Sequence, residues 1–222
     1  MRSALVTGAN RRAGIGHAIA RRLEAGGARV FAHGFGNGNV DVDIEADFAD
    51  PSAPARVIAA AAPIDTLVVN HALSEPGALG ELTAEQIDAH LHVNVRAALL
   101  LVQEFAAQFD GEQGAVVLLT SGAHRGPMAG EIAYAVAKGA LATATATLAE
   151  SLADRGIRVN CVNPGPTDTG YLAAVEPGAR MPFGRWGEPE DAARLVAWLC
   201  SDDGRWVTGQ VIDSEGGFRR WS

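Results

Sequence analysis

The sequence predicts an α/β fold, a seven-stranded parallel sheet doubly wound with helices on both faces. Three observations predict it. Short apolar runs alternate with stretches of helical periodicity along the 222 residues. Asp65-Thr66-Leu67-Val68-Val69 is apolar without polar alternation, the pattern of a strand buried on both faces. The first apolar run ends in a glycine-rich loop that opens a helix.

The elements follow in order. A first strand covers residues 3–7 and stops at Gly8. Ile15, Ala18, Ile19 and Leu23 recur at helical spacing until Gly26-Gly27. Residues 29–33, 40–46 and 65–69 read as the second, third and fourth strands. Residues 83–109 read as one long helix, with Thr83 as N-cap and Gln86 three residues on. The fifth strand spans 115–120. A second long helix, 131–155, is stopped by Gly156, and the sixth strand, 157–162, by Pro164. Residues 189–200 form a helix with Pro189 first and Glu190 and Asp191 in the first turn. Its Ala192, Leu195, Val196 and Leu199 share one face. Residues 210–213 make the seventh strand. No repeat or linker interrupts the pattern, so residues 1–222 are expected to form one domain.

Composition excludes several classes of function. A net charge of −8 gives no basic footprint for nucleic acid. The apolar run at the N-terminus is too short for a signal peptide. No stretch approaches the roughly 18 apolar residues of a membrane helix, so neither a membrane nor nucleic acid is expected as a partner, and a cytoplasmic location is. Cys161 and Cys200 match no metal or redox spacing and read as small, reduced, buried residues. No metal site is expected.

Two motifs carry chemistry. Thr7-Gly8-Ala9-Asn10-Arg11-Arg12-Ala13-Gly14-Ile15-Gly16 lies between the first strand and the first helix. Glycines there allow a tight turn and let the backbone approach a pyrophosphate at the helix N-terminus. Tyr134 and Lys138 lie four apart on one helix face that continues as Leu141, Thr145, Leu148 and Leu152, toward the core. A cation about 4 Å from the phenol, at an effective dielectric near 20, is worth about 4 kcal/mol, or roughly three pKa units. That would bring Tyr134 toward the range of general acid/base catalysis.

The glycine loop, Asn94, Ser121, Tyr134-xxx-Lys138 and Asn163-Pro164-Gly165 occur together, in order. With them the chain resembles the short-chain dehydrogenase/reductase family over essentially its whole length. The stretches Gly184-Arg185-Trp186-Gly187-Glu188-Pro189 and Thr208-Gly209-Gln210-Val211-Ile212 are similar to the subgroup holding β-ketoacyl-carrier-protein reductases. The resemblance implies a Rossmann-type fold and a nicotinamide-dependent interconversion of a ketone and a secondary alcohol. Ser121 would bind the substrate oxygen and Tyr134 would exchange its proton. Lys138 would lower the tyrosine pKa and, with Tyr134, bind the nicotinamide ribose. Asn94 would disturb its helix and hold a proton-relaying water. Gly8, Asn10, Gly14, Ile15 and Gly16 would cradle the pyrophosphate, and Asn70 would sit beside the ribose. Asp47 would accept from the adenine amino group. Thr167 and Thr169, after Pro164-Gly165, would hold the carboxamide. Substrate contacts are expected from residues 124–128 and from Tyr171 and Leu172.

The glycine loop is two residues longer than the family's, the segment 34–40 is too short for the usual helix, and His71-Ala72 replaces Ala-Gly. The strand end at Ala32-His33-Gly34 has no acid to bind a ribose 2′-hydroxyl, and Arg11 and Arg12 are placed for a 2′-phosphate. NADP(H) is therefore expected, with NAD(H) the alternative. The paired long helices of the family imply a homotetramer or homodimer. Two other readings remain open: a redox sensor that binds the cofactor without chemistry, and an epimerase or dehydratase on the same fold. The segment 170–183 is expected to be a short lid that admits bulky or carrier-tethered ketones.

Overall fold

Seven short strands pair in one parallel sheet of order β3-β2-β1-β4-β5-β6-β7. They are β1 (Ser3–Val6), β2 (Arg29–Gly34), β3 (Ile44–Glu45), β4 (Thr66–Val69), β5 (Gly114–Leu119), β6 (Ile157–Asn163) and β7 (Val211–Asp213). The computed structural model describes residues 2–170, 172 and 176–220. Every residue of β4 and β5 is buried, as their unbroken apolar runs require.

Alternation within each strand divides the core. Leu5, Leu67, Val116 and Leu118 face α2 (Ala53–Ala61), α4 (Ala97–Gln108) and α5 (Ile132–Leu152). Val6, Val68, Val117 and Leu119 face α1 (Ile15–Ala25) and α6 (Pro189–Cys200). This period of two gives each strand one side chain for each helical layer. The chain runs outward from β1 through β2 to β3, then returns to β4 beside β1. The crevice of such a sheet lies where the order reverses, beyond the carboxyl ends of β1 and β4.

Several expectations need correction. The third strand contracts to Ile44–Glu45. Helix α2 is not among the expected elements, although Pro54 in its first turn and buried Val57, Ile58 and Ala61 have helical spacing. The helix expected over 83–109 is broken into α3 (Ala84–His90), a π-helical turn at Leu91–Arg96, and α4. Its capping box is present as read, with Thr83 accepting from the Gln86 N–H. The segment Ile132–Arg155 is long and apolar enough, by length and composition, to cross a membrane, contrary to expectation. Its apolar character comes mostly from alanines interspersed with threonines and Lys138 rather than from one unbroken run, which hides it in the sequence. Here it lies against β5, β6 and the π turn.

Two departures from the family pattern are one structural change. Asn10, in the lengthened glycine loop, holds the short segment after β2. Its carbonyl accepts from the N–H groups of Asn39 and Val40 at 2.8 and 3.1 Å. Its side chain donates to the Phe35 carbonyl at 3.0 Å. A Cβ at Gly34 would lie 2.4 Å from Asn10 Cβ, and one at Gly38 would lie 2.5 Å from the Asn10 carbonyl. Overpacking of this kind costs about 1–3 kcal/mol. Gly34→Ala should therefore destabilise the protein by that amount in urea denaturation, and Asn10→Gly in the same chain should restore part of it. A Gly34→Ala penalty of equal size with and without Asn10 would contradict the coupling.

Candidate active site

The nucleotide half of the site starts from Thr7, the residue after β1. Its hydroxyl accepts from the N–H groups of Asn70 and His71 at 2.9 and 3.2 Å, tying the end of β1 to the end of β4. The Asn70 amide donates to the carbonyls of Thr7 and Gly8. Gly8 has φ +67, and a Cβ there would lie 2.8 Å from His71 Cα. Gly16 is closer still, since its Cβ would lie 2.3 Å from the Gly8 carbonyl oxygen. Only glycine lets α1 approach this strand end.

A cleft of about 640 Å³ opens above this knot. Gly8, Asn10, Arg11, Gly14, Ile15, Asp47, Asn70 and Thr169 line it, as the sequence leads one to expect. Gly16 lies beneath the loop. Arg12 is exposed outside the cleft, its main-chain N–H held by Asn39. Arg11 reaches across to the Thr169 carbonyl. The cleft fits a dinucleotide. The start of α1 has Gly14 as N-cap, no side-chain cap and no acid in its first turn, which leaves N–H groups for an anion.

One wall has no counterpart in the sequence expectations. His33 stacks on Phe48 with ring centroids 4.3 Å apart, and His71 meets Phe48 at 4.2 Å with the rings tilted by 48°. His71 is buried. Its Nε2 faces the Val93 carbonyl at 3.0 Å and therefore carries the proton, leaving Nδ1 to accept from Thr7 Oγ1 at 2.8 Å. Burial, reinforced by Lys138, lowers its pKa to about 3. This neutral histidine is structural, and it meets a carbonyl in the π turn. The sequence hints at it only through the position of His71 beside Asn70.

Asn94 sits in that π turn, buried, so the expected helix disturbance is present. Its amide accepts from the Leu73 N–H at 2.7 Å and donates to the Leu73 carbonyl at 2.8 Å. The side chain thus anchors the loop after β4 rather than turning toward Lys138.

The second half of the site is a cleft of about 490 Å³ lined by Ser121, Tyr134, Gly165 and Pro166 among others. Ser121 follows β5 and its hydroxyl accepts from the Ala123 N–H at 3.3 Å. Tyr134 opens α5, and its hydroxyl has no hydrogen bond among the described residues. Lys138 is buried and donates from Nζ to the Leu119 carbonyl at 2.8 Å. Burial lowers its pKa to about 8. The expectation that Lys138 would lower the tyrosine pKa is not met in the chain by itself. Burial, aided by the Glu131 carboxylate, pushes Tyr134 up to about 12. The ammonium is directed at a carbonyl, and the phenol loses water without gaining a cation.

Other expected residues divide. Thr167 donates its hydroxyl to the Pro164 carbonyl at 3.0 Å and lines neither large cleft. Pro164 borders a smaller pocket. Gly126, Pro127 and Met128 line the substrate cleft. His124 and Arg125 instead lie 3.0 and 3.2 Å from Asp213. Leu172 does not line the cleft, and Tyr171 falls outside the described residues. Among its described residues the lid segment has one helical turn, Gly178–Arg180. Ser74, Glu131, Arg180, Glu215, Phe218 and Arg220 also line the cleft and are not among the expected residues. They come from separate loops and the returning C-terminal segment, with no common spacing to betray them. Cys161 and Cys200 are buried free thiols with pKa values raised by burial to about 11 and 12. Among the described residues no metal-binding cluster occurs.

A glycine-cradled cleft, a second cleft lined by Ser121 and Tyr134, and a buried Lys138 one helical turn beyond the tyrosine point to a nicotinamide-dependent oxidoreductase. The chain belongs to the short-chain dehydrogenase/reductase family: a family model described as enoyl-(acyl carrier protein) reductase matches residues 8–219. The chain is 37% identical to the uncharacterized oxidoreductase YjdA of Bacillus subtilis (strain 168), over 98% of this chain and 96% of that one. A short-chain dehydrogenase from Burkholderia cenocepacia J2315 in complex with NADP superposes with TM-score 0.85 at 36% identity, covering 97% of each chain. A blue fluorescent protein from a metagenomic library in complex with NADPH gives 0.87 at 32% identity, covering 98% and 97%.

His71→Leu should remove the imidazole from the Val93 carbonyl and from the Thr7 hydroxyl, which keeps its main-chain partners. An unsatisfied buried group costs about 1–3 kcal/mol, so the urea midpoint should fall accordingly. An unchanged midpoint would show that the imidazole does not hold these groups.

Proposed function

We propose that the protein is an NADP(H)-dependent reductase that interconverts a small ketone and a secondary alcohol. The observation that carries this reading is the free Tyr134 hydroxyl beside Ser121 on one cleft, over a buried Lys138. Ser121 orients the carbonyl oxygen by donating a hydrogen bond. Tyr134, kept protonated by its raised pKa, delivers a proton to that oxygen. Lys138 holds the tyrosine helix in place and offers its ammonium to ribose hydroxyls. Asn94 fixes the loop after β4 against the same helix layer.

The cofactor, when bound, supplies or accepts the hydride. Gly8, Gly14 and Ile15 would hold its diphosphate, Asp47 and Asn70 the adenosine end, and Pro164, Gly165 and Thr169 the carboxamide end. The NADP(H)-bound structures of relatives support the phosphorylated cofactor, as does Arg11 on the cleft wall. A 3-oxoacyl thioester falls within this chemistry, as the subgroup resemblance suggests. The charged lining of Glu131, Arg180, Glu215 and Arg220 favours short polar ketones over long acyl chains. The complete Asn94, Ser121, Tyr134 and Lys138 set argues against a sensor without chemistry.

The same reading includes assembly as a homotetramer or homodimer. Val136 on α5 and Leu99 on α4 remain 59% and 39% exposed, apolar surface suited to a second copy. Light scattering should show a dimer or larger at micromolar concentration, and a monomer alone would exclude it.

Absorbance at 340 nm with a panel of ketones tests the activity. Tyr134→Phe should lower kcat by about 10² or more while NADPH binding is kept. Wild-type turnover by this variant would refute the mechanism. Arg11→Ala should raise the KM for NADPH about tenfold, the scale of one charged hydrogen bond, and Arg12→Ala should change it less. Equal effects of the two would overturn the assignment of Arg11.

A further inference from the structure

We propose that Glu131 is a substrate-binding residue that selects carbonyl compounds bearing a hydroxyl on the carbon next to the carbonyl. The proposal rests on the reading of Ser121 and Tyr134 as the catalytic pair. Glu131 is the N-cap residue of α5, yet its side chain makes no capping bond. Its backbone is held without it: the N–H donates to the Met128 carbonyl at 3.0 Å, and the carbonyl accepts from Ala135 at 2.9 Å. No hydrogen bond at the helix start therefore uses the carboxylate. The side chain is turned into the substrate cleft, where its one partner among the described residues is Ser74 Oγ, at a long 3.4 Å.

Position sets what this carboxylate can reach. Residues three apart at a helix start have Cβ atoms about 5–6 Å from each other. When Tyr134 meets the carbonyl oxygen, Glu131 is within reach of a group one or two bonds from the reacting carbon. The Glu131 carboxylate also adds to the rise in the Tyr134 pKa, in keeping with its place near the phenol.

The chemistry of the partner follows from the donor inventory. An ionised carboxylate only accepts hydrogen bonds, so the substrate group must donate. The other acid of the cleft, Glu215, is already bound by Arg220 and by Asn163. Arg180 and Arg220 on the same cleft disfavour a cationic donor, which leaves a hydroxyl. A plain alkyl ketone would cover the carboxylate and give it no donor, and an unpaired charged group of this kind is penalised strongly.

The test uses two isomeric ketones, 1-hydroxy-2-butanone and 1-methoxy-2-propanone, with NADPH oxidation followed at 340 nm. Both carry an oxygen on the carbon next to the carbonyl, but only the first can donate from it. The wild-type protein should favour the hydroxyketone in kcat/KM by about tenfold or more, less than a fully enclosed site would give. Glu131→Leu should bring the ratio near one by slowing the hydroxyketone and relieving the penalty on the methoxyketone, and Glu131→Gln, which keeps an acceptor oxygen, should retain part of the preference. A wild-type ratio near one, or a preference that survives in Glu131→Leu, would overturn the proposal. Tyr134→Phe should abolish turnover of both ketones. Activity there would count instead against the catalytic pair, so the two failures are distinguishable.

Discussion

Two buried hydrogen bonds between the end of β5 and the second turn of α5 hold the catalytic side of this protein together. Lys138 Nζ donates to the Leu119 carbonyl at 2.8 Å, and Thr120 Oγ1 donates to the Lys138 carbonyl at 2.7 Å. The helix face that meets the sheet is rich in alanine and threonine, which pack closely but specify register weakly. The reciprocal pair supplies the register. It sets Ser121, the next residue after Thr120, against Tyr134, one helical turn before Lys138. On the other side of the sheet's switch point the Thr7 hydroxyl does the equivalent work, joining β1 to β4 and thereby shaping the nucleotide cleft.

Burial of this pair also sets its charge state. A lysine removed from water loses proton affinity, and here the pKa falls to about 8. A phenol removed from water holds its proton more tightly, and the nearby Glu131 carboxylate adds to the effect. A neutral phenol in the cleft is what the proposed carbonyl reduction requires. Helical spacing by itself puts the ammonium against the phenol, where it would favour the phenolate. In the folded chain the ammonium donates to the Leu119 carbonyl, and burial, followed by the Glu131 carboxylate, sets the direction of the tyrosine shift.

The fold is legible in the sequence because parallel strands buried on both faces leave a strong mark, as in residues 66–69 and 114–119. The nucleotide cleft is legible because close backbone approach demands glycine at Gly8 and Gly16. Helix α2 is harder to read, since its apolar face is mostly alanine. The π turn around Asn94 does not show in the periodicity, which continues smoothly through it. The substrate cleft is the least legible part. Ser74, Glu131, Glu215 and Arg220 meet only because loops after β4, β5 and β7 converge, and no sequence spacing encodes that convergence.

The proposed catalytic reading turns on Tyr134 staying a neutral phenol in the folded chain. Carbon-13 NMR of the tyrosine ring, titrated with pH in the cofactor-free protein, tests it most directly. The chain has two tyrosines, Tyr134 and Tyr171, so a Tyr171→Phe background leaves one signal. The predicted midpoint lies well above the ordinary phenol value of about 10, toward about 12. A midpoint at or below the ordinary value would contradict it.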